Sequence, residues 1–550
     1  MVLRIVPCTG KDCQTHPMPS RRIHPSVVVP LLFVAIALIA SCTGGSDDAG
    51  GGDPQKDDVT TTTAAEAFEL RPLHVEEQRI VDDRGREVLL RGANVNALGE
   101  YAQADPEVEP TVPVTDEDWD AMAANGFSVV RLIMSWSRLE PNRGEIDDGY
   151  LDEIEAAVTA ANERGIYVVL DMHQDAWGMS SATPEGTTCP PGTEAVIGWD
   201  GAPEWATITD GATTCRAPGS QRESAPAVHR AFANFYADTD GIAGRLTAVW
   251  AAVAARFAGD PGVAGYDLLN EPNGVDPAEQ NQVAYSQWLQ TTIRAIRDVE
   301  ADAGASPVPM FVEPLQLYPL PFNALLPEHL DDDQLVFAPH NYAESIHSIL
   351  TLEQTFDVYE TGADELDAAL WIGEYGFWDI DPDTLAVATR YASEEDRRGL
   401  GGTWWQWRQT CGDPHSVAGP GEPATADQIH LITRACPGAG DEANDTDARF
   451  TEEFLSILGR AYPRAAPGRL GELVSDPATG ELRVSGTAAT AGGELVVWLP
   501  DRADPDRDDA ATVQPSTTDG LTDVELREVT GGRWLTATTT GSDWQLVVDG

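Results

Sequence analysis

The sequence predicts an α/β chain: a (β/α)8 barrel followed by an antiparallel β-sandwich. Three observations carry that expectation. Eight apolar strand-like runs alternate with helix-patterned stretches, two of those runs end in a glutamate where the chain turns, and the pattern changes character after Pro467. The runs lie near residues 88–94, 128–134, 166–172, 263–269, 308–312, 335–338, 369–373 and 401–407. Apolar throughout rather than alternating, they fit a parallel sheet whose outer face is covered by helices. Between them, Thr115-Asp116-Glu117-Asp118 has the form of a capped helix start ahead of Trp119 and Met122. Residues 150–164 carry helix-spaced apolar positions, and 280–303 form a longer helical stretch.

In such a barrel the reacting groups stand where strand C-termini meet the following loops. Leu268-Leu269-Asn270-Glu271-Pro272 ends the fourth run and Trp371-Ile372-Gly373-Glu374-Tyr375-Gly376 the seventh. Two carboxyls at that edge suit cleavage of a glycosidic bond: one gives a proton to the departing oxygen while the other supports positive charge on the sugar carbon. Glu313, in Phe311-Val312-Glu313-Pro314, also ends a strand and is the rival of Glu374 as nucleophile. Opposition of strands four and seven across a barrel mouth favours Glu374 and leaves Glu313 as a rim or hydrogen-bonding residue. Arg131 lies in the second run, His173 and Asp175 follow the third, and Asn270 precedes Glu271. His340 and Tyr342 follow the sixth, and Trp405 with Trp407 closes the eighth. Hydroxyl-binding polar groups and an aromatic face are what a sugar site requires.

The chain has 550 residues, with 35 Lys and Arg against 90 Asp and Glu, a formal charge of −55. That balance repels nucleic acid and anionic surfaces. Only Lys11 and Lys56 are lysines, so nearly all cations are Arg. The sequence carries no phosphate loop, nucleotide fingerprint, metal-spaced cluster or internal repeat, and the expectation is a monomer with no cofactor and no metal.

Residues 1–42 read as a lipoprotein signal peptide. Arg21 and Arg22 precede an apolar stretch over 27–40, too short to span a bilayer, which ends in Ile39-Ala40-Ser41-Cys42, a segment that resembles a bacterial lipobox. Export, lipidation of Cys42 and attachment to the cell membrane are therefore expected, with 43–66 as a flexible Gly/Thr/Asp tether. Met18 fits an initiator better than Met1, because it gives a compact basic start. Four later cysteines fall into two local pairs, Cys189 with Cys215 and Cys411 with Cys436, and loop-stapling disulfides are favoured over zinc. Three pairings are formally open, with local closure the cheapest. The barrel is expected over 67–465. The short alternating runs of 466–550 read as the sandwich, a packing domain rather than a carbohydrate binder.

Asn270-Glu271-Pro272, Gly373-Glu374-Tyr375-Gly376, Arg131-Leu132, Asp171-Met172-His173-Gln174 and His340-Asn341-Tyr342 together resemble glycoside hydrolase family 5, a group of retaining (β/α)8 glycosidases. The resemblance implies Glu271 as general acid/base and Glu374 as nucleophile. It also implies Asn270 on the sugar 2-hydroxyl, Arg131 and Tyr342 positioning the nucleophile, His173 and His340 lining the reacting subsite, and Trp405 as sugar platform. His173-Gln174-Asp175-Ala176-Trp177, Gly201-Ala202-Pro203-Glu204-Trp205-Ala206 and Trp404-Trp405-Gln406-Trp407 resemble its endoglycoceramidase-like branch more than the cellulases. Two departures stand out. The lysine common in that branch after the first-strand Gly-x-Asn is missing from 92–98, and residues 178–200 form an inserted loop. A glycolipid or other amphiphilic β-glycoside is thus the leading substrate class. The alternatives are a secreted polysaccharide endo-hydrolase of the cellulase or mannanase kind and a non-enzymatic surface carbohydrate-binding lipoprotein. The intact glutamate pair speaks against the last.

Overall fold

The structure is a computed structural model and describes residues 67–101, 111, 113–198, 200–274, 278–316, 318–319, 325–377, 379–408, 430–433, 449–488, 490–501 and 515–550. Cys42, Cys411, Cys436, the expected signal peptide and the expected tether lie outside the described residues.

Eight parallel strands form the barrel. In order they are Arg91–Val95, Val129–Ser135, Tyr167–His173, Val263–Asp267, Met310–Val312, Leu335–Phe337, a seventh in two pieces (Ala369–Leu370 and Ile372–Tyr375), and Gly402–Trp404. Each overlaps its expected apolar run. Every position of Val129–Ser135 and Tyr167–His173 is buried, because one face meets the helices and the other the barrel interior. The seventh strand closes the ring: Ala369–Leu370 pairs with strand six, and Ile372–Tyr375 pairs with strand eight, which in turn pairs with strand one.

Helices cover the outside. Asp116–Ala124 starts as expected, with the Asp118 carboxylate accepting from Thr115 N at 2.7 Å, and buries Trp119 and Met122. Asp148–Asn162 is capped by Asp147, whose side chain accepts from Tyr150 N at 3.0 Å. Ala278–Ala303 follows strand four. The alternation fails once. Among the described residues no helix links strands five and six. Pro314, Pro319, Pro321 and Pro327 crowd that connection, and each removes an N–H that a helix would need.

The C-terminal part is a sandwich of two antiparallel sheets. Its four-stranded sheet runs in the order Arg469–Ser475, Leu482–Ala488, Ser542–Val548, Pro515–Asp519. The seven-stranded sheet recruits chain from the opposite end: Leu73–Glu76, Arg79–Asp82 and Arg86–Val88 join Tyr462–Pro467, Glu494–Pro500, Gly532–Thr539 and Leu521–Val529. Strand Tyr462–Pro467 thus crosses the boundary expected between 465 and 466, and residues 73–88, expected within the barrel, pair in the sandwich. The two parts share one apolar cluster, in which Val129, Tyr167, Val169, Phe311 and Trp371 of the barrel continue into Phe68, Leu73, Trp498 and Trp534. The sandwich is therefore the floor of the barrel, at the end away from the strand C-termini. Trp498, Trp534 and Trp544 are 0, 8 and 2 % exposed, so each is core and none is a platform for sugar.

Candidate active site

At the strand C-termini the chain gathers an unusual density of charge around one guanidinium. Arg131, fully buried, points inward from strand two. It meets Asp171 at 2.9 Å, Asp267 at 2.8 Å, Glu313 at 3.0 Å and Glu374 at 2.8 Å. It also donates to the side-chain oxygens of Asn94 at 3.1 Å and Asn270 at 3.0 Å. Burial raises the carboxyls of Asp267 and Glu313 above their usual range, against the pull of Arg131 on Asp267 and of His340 and then Arg131 on Glu313.

Glu374 stands in the second piece of strand seven with both oxygens engaged: Oε1 accepts from Arg131 Nη1, and Oε2 accepts from Tyr342 OH at 2.9 Å. Burial, and next the Glu374 charge, push the Tyr342 hydroxyl well above the ordinary phenol range, so it remains a donor. Glu271 stands four residues past the end of strand four and takes a left-handed conformation, φ +37°. Its carboxyl is held by His340 Nδ1 at 3.0 Å and by Gln316 Nε2 at 3.2 Å. Its main-chain N–H donates to Glu313 Oε2 at 2.8 Å, while Gln174 Nε2 donates to the carbonyls of Asn270 and Glu271 at 2.7 and 3.0 Å.

His340 connects the two glutamates, its Nδ1 lying 3.4 Å from Glu374 Oε2 as well as 3.0 Å from Glu271. A carboxylate oxygen of Glu271 and one of Glu374 lie within 4.8 Å of each other. Burial disfavours the imidazolium, but the charges of Glu313 and Glu374 outweigh it and hold His340 protonated well above the usual histidine range. The consequence falls on Glu271: burial would raise its carboxyl, yet the hydrogen bond and charge of His340 bring it below its ordinary value.

His173 is held in the same way, with Nδ1 2.7 Å from Asp171 and Nε2 3.5 Å from Asp175. Burial opposes its charge, and Asp200 and Asp171 more than restore it. Its ring stacks on Trp405 with centroids 5.3 Å apart and planes 14° apart. The sets His173, Asp175, Asp200 and Glu271, His340, Glu374 are each close enough to share a cation. In both, the protonated ring supplies the positive charge.

Above these groups opens a cleft of about 490 Å³. His173, Asp175, Asn270, Glu271, His340, Tyr342, Glu374 and Trp405 all line it, which brings the expected site residues to one place. Arg131 does not line the cleft. It lies beneath the site and touches the nucleophile candidate rather than the space a sugar would fill. Trp407, also fully buried, faces Phe127 with ring centroids 5.9 Å apart. Glu313 also lines the cleft, 2 % exposed and hydrogen-bonded to Arg131 and to the Glu271 amide, which fits the hydrogen-bonding alternative.

Several contributors were not among the expected residues. Gln174 and Gln316 carry no motif signal beyond their neighbours. Arg222 pairs with Asp175 and lies 2.7 Å from Glu223, and it reaches the cleft from the long segment after strand three. That segment is stapled by the Cys189–Cys215 disulfide, the local pairing favoured from sequence. It also supplies Ala195, Val196 and Ile197, which with Leu315, Tyr318 and Ile346 are apolar residues of the cleft lining. Ile197 and Ile346 are 46 and 54 % exposed, unusual for large aliphatics.

Comparison with known proteins agrees with the geometry. The chain is 28 % identical over 464 residues to endoglycoceramidase I of Rhodococcus hoagii, covering 78 % of this chain and 80 % of that one. A crystal structure of an endogalactoceramidase superposes with a TM-score of 0.76 at 40 % identity, covering 88 % of this chain and 100 % of the other. The lactosyl-enzyme intermediate of endo-glycoceramidase II from Rhodococcus sp. superposes with a TM-score of 0.64 at 27 % identity, over 85 and 98 % of the two chains. The family model for cellulase, glycosyl hydrolase family 5, matches residues 81–410. More than half of the sequence fits that model around the paired glutamates, and the chain belongs to glycoside hydrolase family 5.

Proposed function

We propose that this protein is a retaining β-glycosidase that releases the glycan from glycolipids, in the manner of an endoglycoceramidase. The observation that carries the reading is the pair Glu271 and Glu374, with oxygens within 4.8 Å of each other and His340 in contact with both, in a cleft lined by polar and apolar residues together. Retaining enzymes hold their carboxyl groups about 5 to 5.5 Å apart, and inverting ones about 6.5 to 9.5 Å. The relatives named endoglycoceramidase, and the endo-glycoceramidase II structure holding ganglioside GM3 at 25 % identity, support a lipid aglycone.

Glu374 attacks the anomeric carbon while Arg131 and Tyr342 hold its oxygens. Glu271 protonates the departing oxygen and then draws a proton from the water that releases the sugar. In the free site the hydrogen bond and charge of His340, whose Nδ1 lies 3.0 Å from Glu271 Oε1, favour the proton on the ring. An apolar aglycone that displaces water disfavours this ion pair and moves the proton to Glu271, where it is needed.

The deciding experiment incubates purified protein with glycosylceramides and with soluble β-glucans. Release of free glycan and ceramide, with the glucans left intact, is expected; the reverse would make the protein a polysaccharide hydrolase. Proton NMR during hydrolysis of an aryl β-glycoside should show the β-anomer first. An α-anomer as the initial product would end the double-displacement mechanism.

From the sequence we also propose that the protein is exported and lipidated on Cys42. Cys42→Ala should release active enzyme to the medium with unchanged turnover of a soluble aryl glycoside. A variant that stays in the membrane fraction contradicts the anchor.

A further inference from the structure

Glu271 occupies a conformation it would not choose. A left-handed φ is disfavoured for an L-residue with a side chain, and the following Pro272 restricts the same residue further. Such a kink persists only where neighbours over-determine it. Glu313 supplies the neighbour on the amide side. From the end of strand five its Oε2 accepts from Glu271 N at 2.8 Å, and its Oε1 accepts from Arg131 Nη2 at 3.0 Å. The same Oε1 lies 3.2 Å from His340 Nε2, the far nitrogen of the ring whose Nδ1 holds the Glu271 carboxyl. The hydrogen bond from the Glu271 amide to the Glu313 carboxyl offsets the kink.

We propose that Glu313 is the positioning residue of the acid/base group: one oxygen pins the main chain of Glu271 in its left-handed turn while the other braces His340 and Arg131, and together they aim the Glu271 carboxyl at the departing oxygen. This rests on the glycosidase reading above and adds to it a third carboxylate, which acts through Glu271. Glu271 alone could be displaced by a small relaxation of the turn. With Glu313 in place, its amide and its carboxyl partner are fixed to a single side chain.

The test uses two soluble substrates and one measurement that needs no turnover. A phenyl β-glycoside requires a proton on its leaving oxygen, whereas a 2,4-dinitrophenyl β-glycoside does not. For Glu313→Ala the expected loss of kcat/KM is on the order of 100-fold on the phenyl substrate, the scale of general acid catalysis, and at least tenfold smaller on the dinitrophenyl substrate, where only the brace on Arg131 is felt. Glu313→Gln keeps one acceptor for Glu271 N, folds with less disturbance and should fall between. Amide hydrogen exchange at Glu271, slow in the parent protein, should accelerate in Glu313→Ala. Equal losses on both substrates, or no loss on either, overturn the assignment, as does unchanged exchange at Glu271. If the parent protein cleaves neither aryl glycoside, the glycosidase reading fails instead, and the exchange measurement still decides whether Glu313 holds the turn.

Discussion

Glu374→Gln is expected to reduce turnover on the order of 10⁴- to 10⁶-fold, the scale on which loss of a nucleophile is felt when the rest of a site remains intact. The substitution is nearly isosteric, so the loss is chemical. An amide oxygen can still accept from Arg131 or Tyr342, which hold the native carboxylate at 2.8 and 2.9 Å, but it cannot form the glycosyl ester. A 2-fluoro glycoside given to the unaltered protein should leave its label on the peptide containing Glu374. Label on Glu313 would reverse the roles of the strand-five and strand-seven carboxyls.

Glu271→Ala is expected to cost about 10²- to 10⁴-fold with a poor leaving group and far less with an activated one. Its pH dependence has a definite sign. His340 is raised above the usual histidine range by Glu313 and Glu374, so the proton shared with Glu271 is kept to higher pH. Activity should therefore fall only as pH rises through that elevated range. In the parent this alkaline limb should appear with the phenyl substrate and be absent with the activated one, which needs no acid, and Glu271→Ala should abolish it with the phenyl substrate. Persistence of the limb would place the working proton on another group.

The barrel was legible because burial on both faces forces its strands to be apolar throughout, and because turn residues such as Asn270 and Pro272 mark where they end. The glutamates were legible for a related reason: a charged residue directly after such a run has few structural uses. Residues 73–88 gave no comparable signal, since three- and four-residue strands have no room for a period and their partner lies far along the chain. Glu313 was visible as a strand-end carboxyl, but its bond to the Glu271 amide is a tertiary fact. The same holds for Arg222, which a disulfide-closed segment delivers to Asp175. The missing helix between strands five and six was written in its prolines, yet the alternation around it overrode them.

A ribosome must deliver nearly the whole chain before the barrel can be sealed. Strand Arg86–Val88 waits for Tyr462–Pro467, which in turn pairs with Glu494–Pro500 and, through it, with Gly532–Thr539. Pairings at such sequence distance form slowly. Until they form, Tyr167, Phe311 and Trp371 lie at an open floor, where each large aromatic accounts for about 3 to 5 kcal/mol of core packing. A whole domain has a net stability of only about 5 to 15 kcal/mol. A message truncated after the eighth strand would thus yield a leaking vessel rather than a trimmed enzyme.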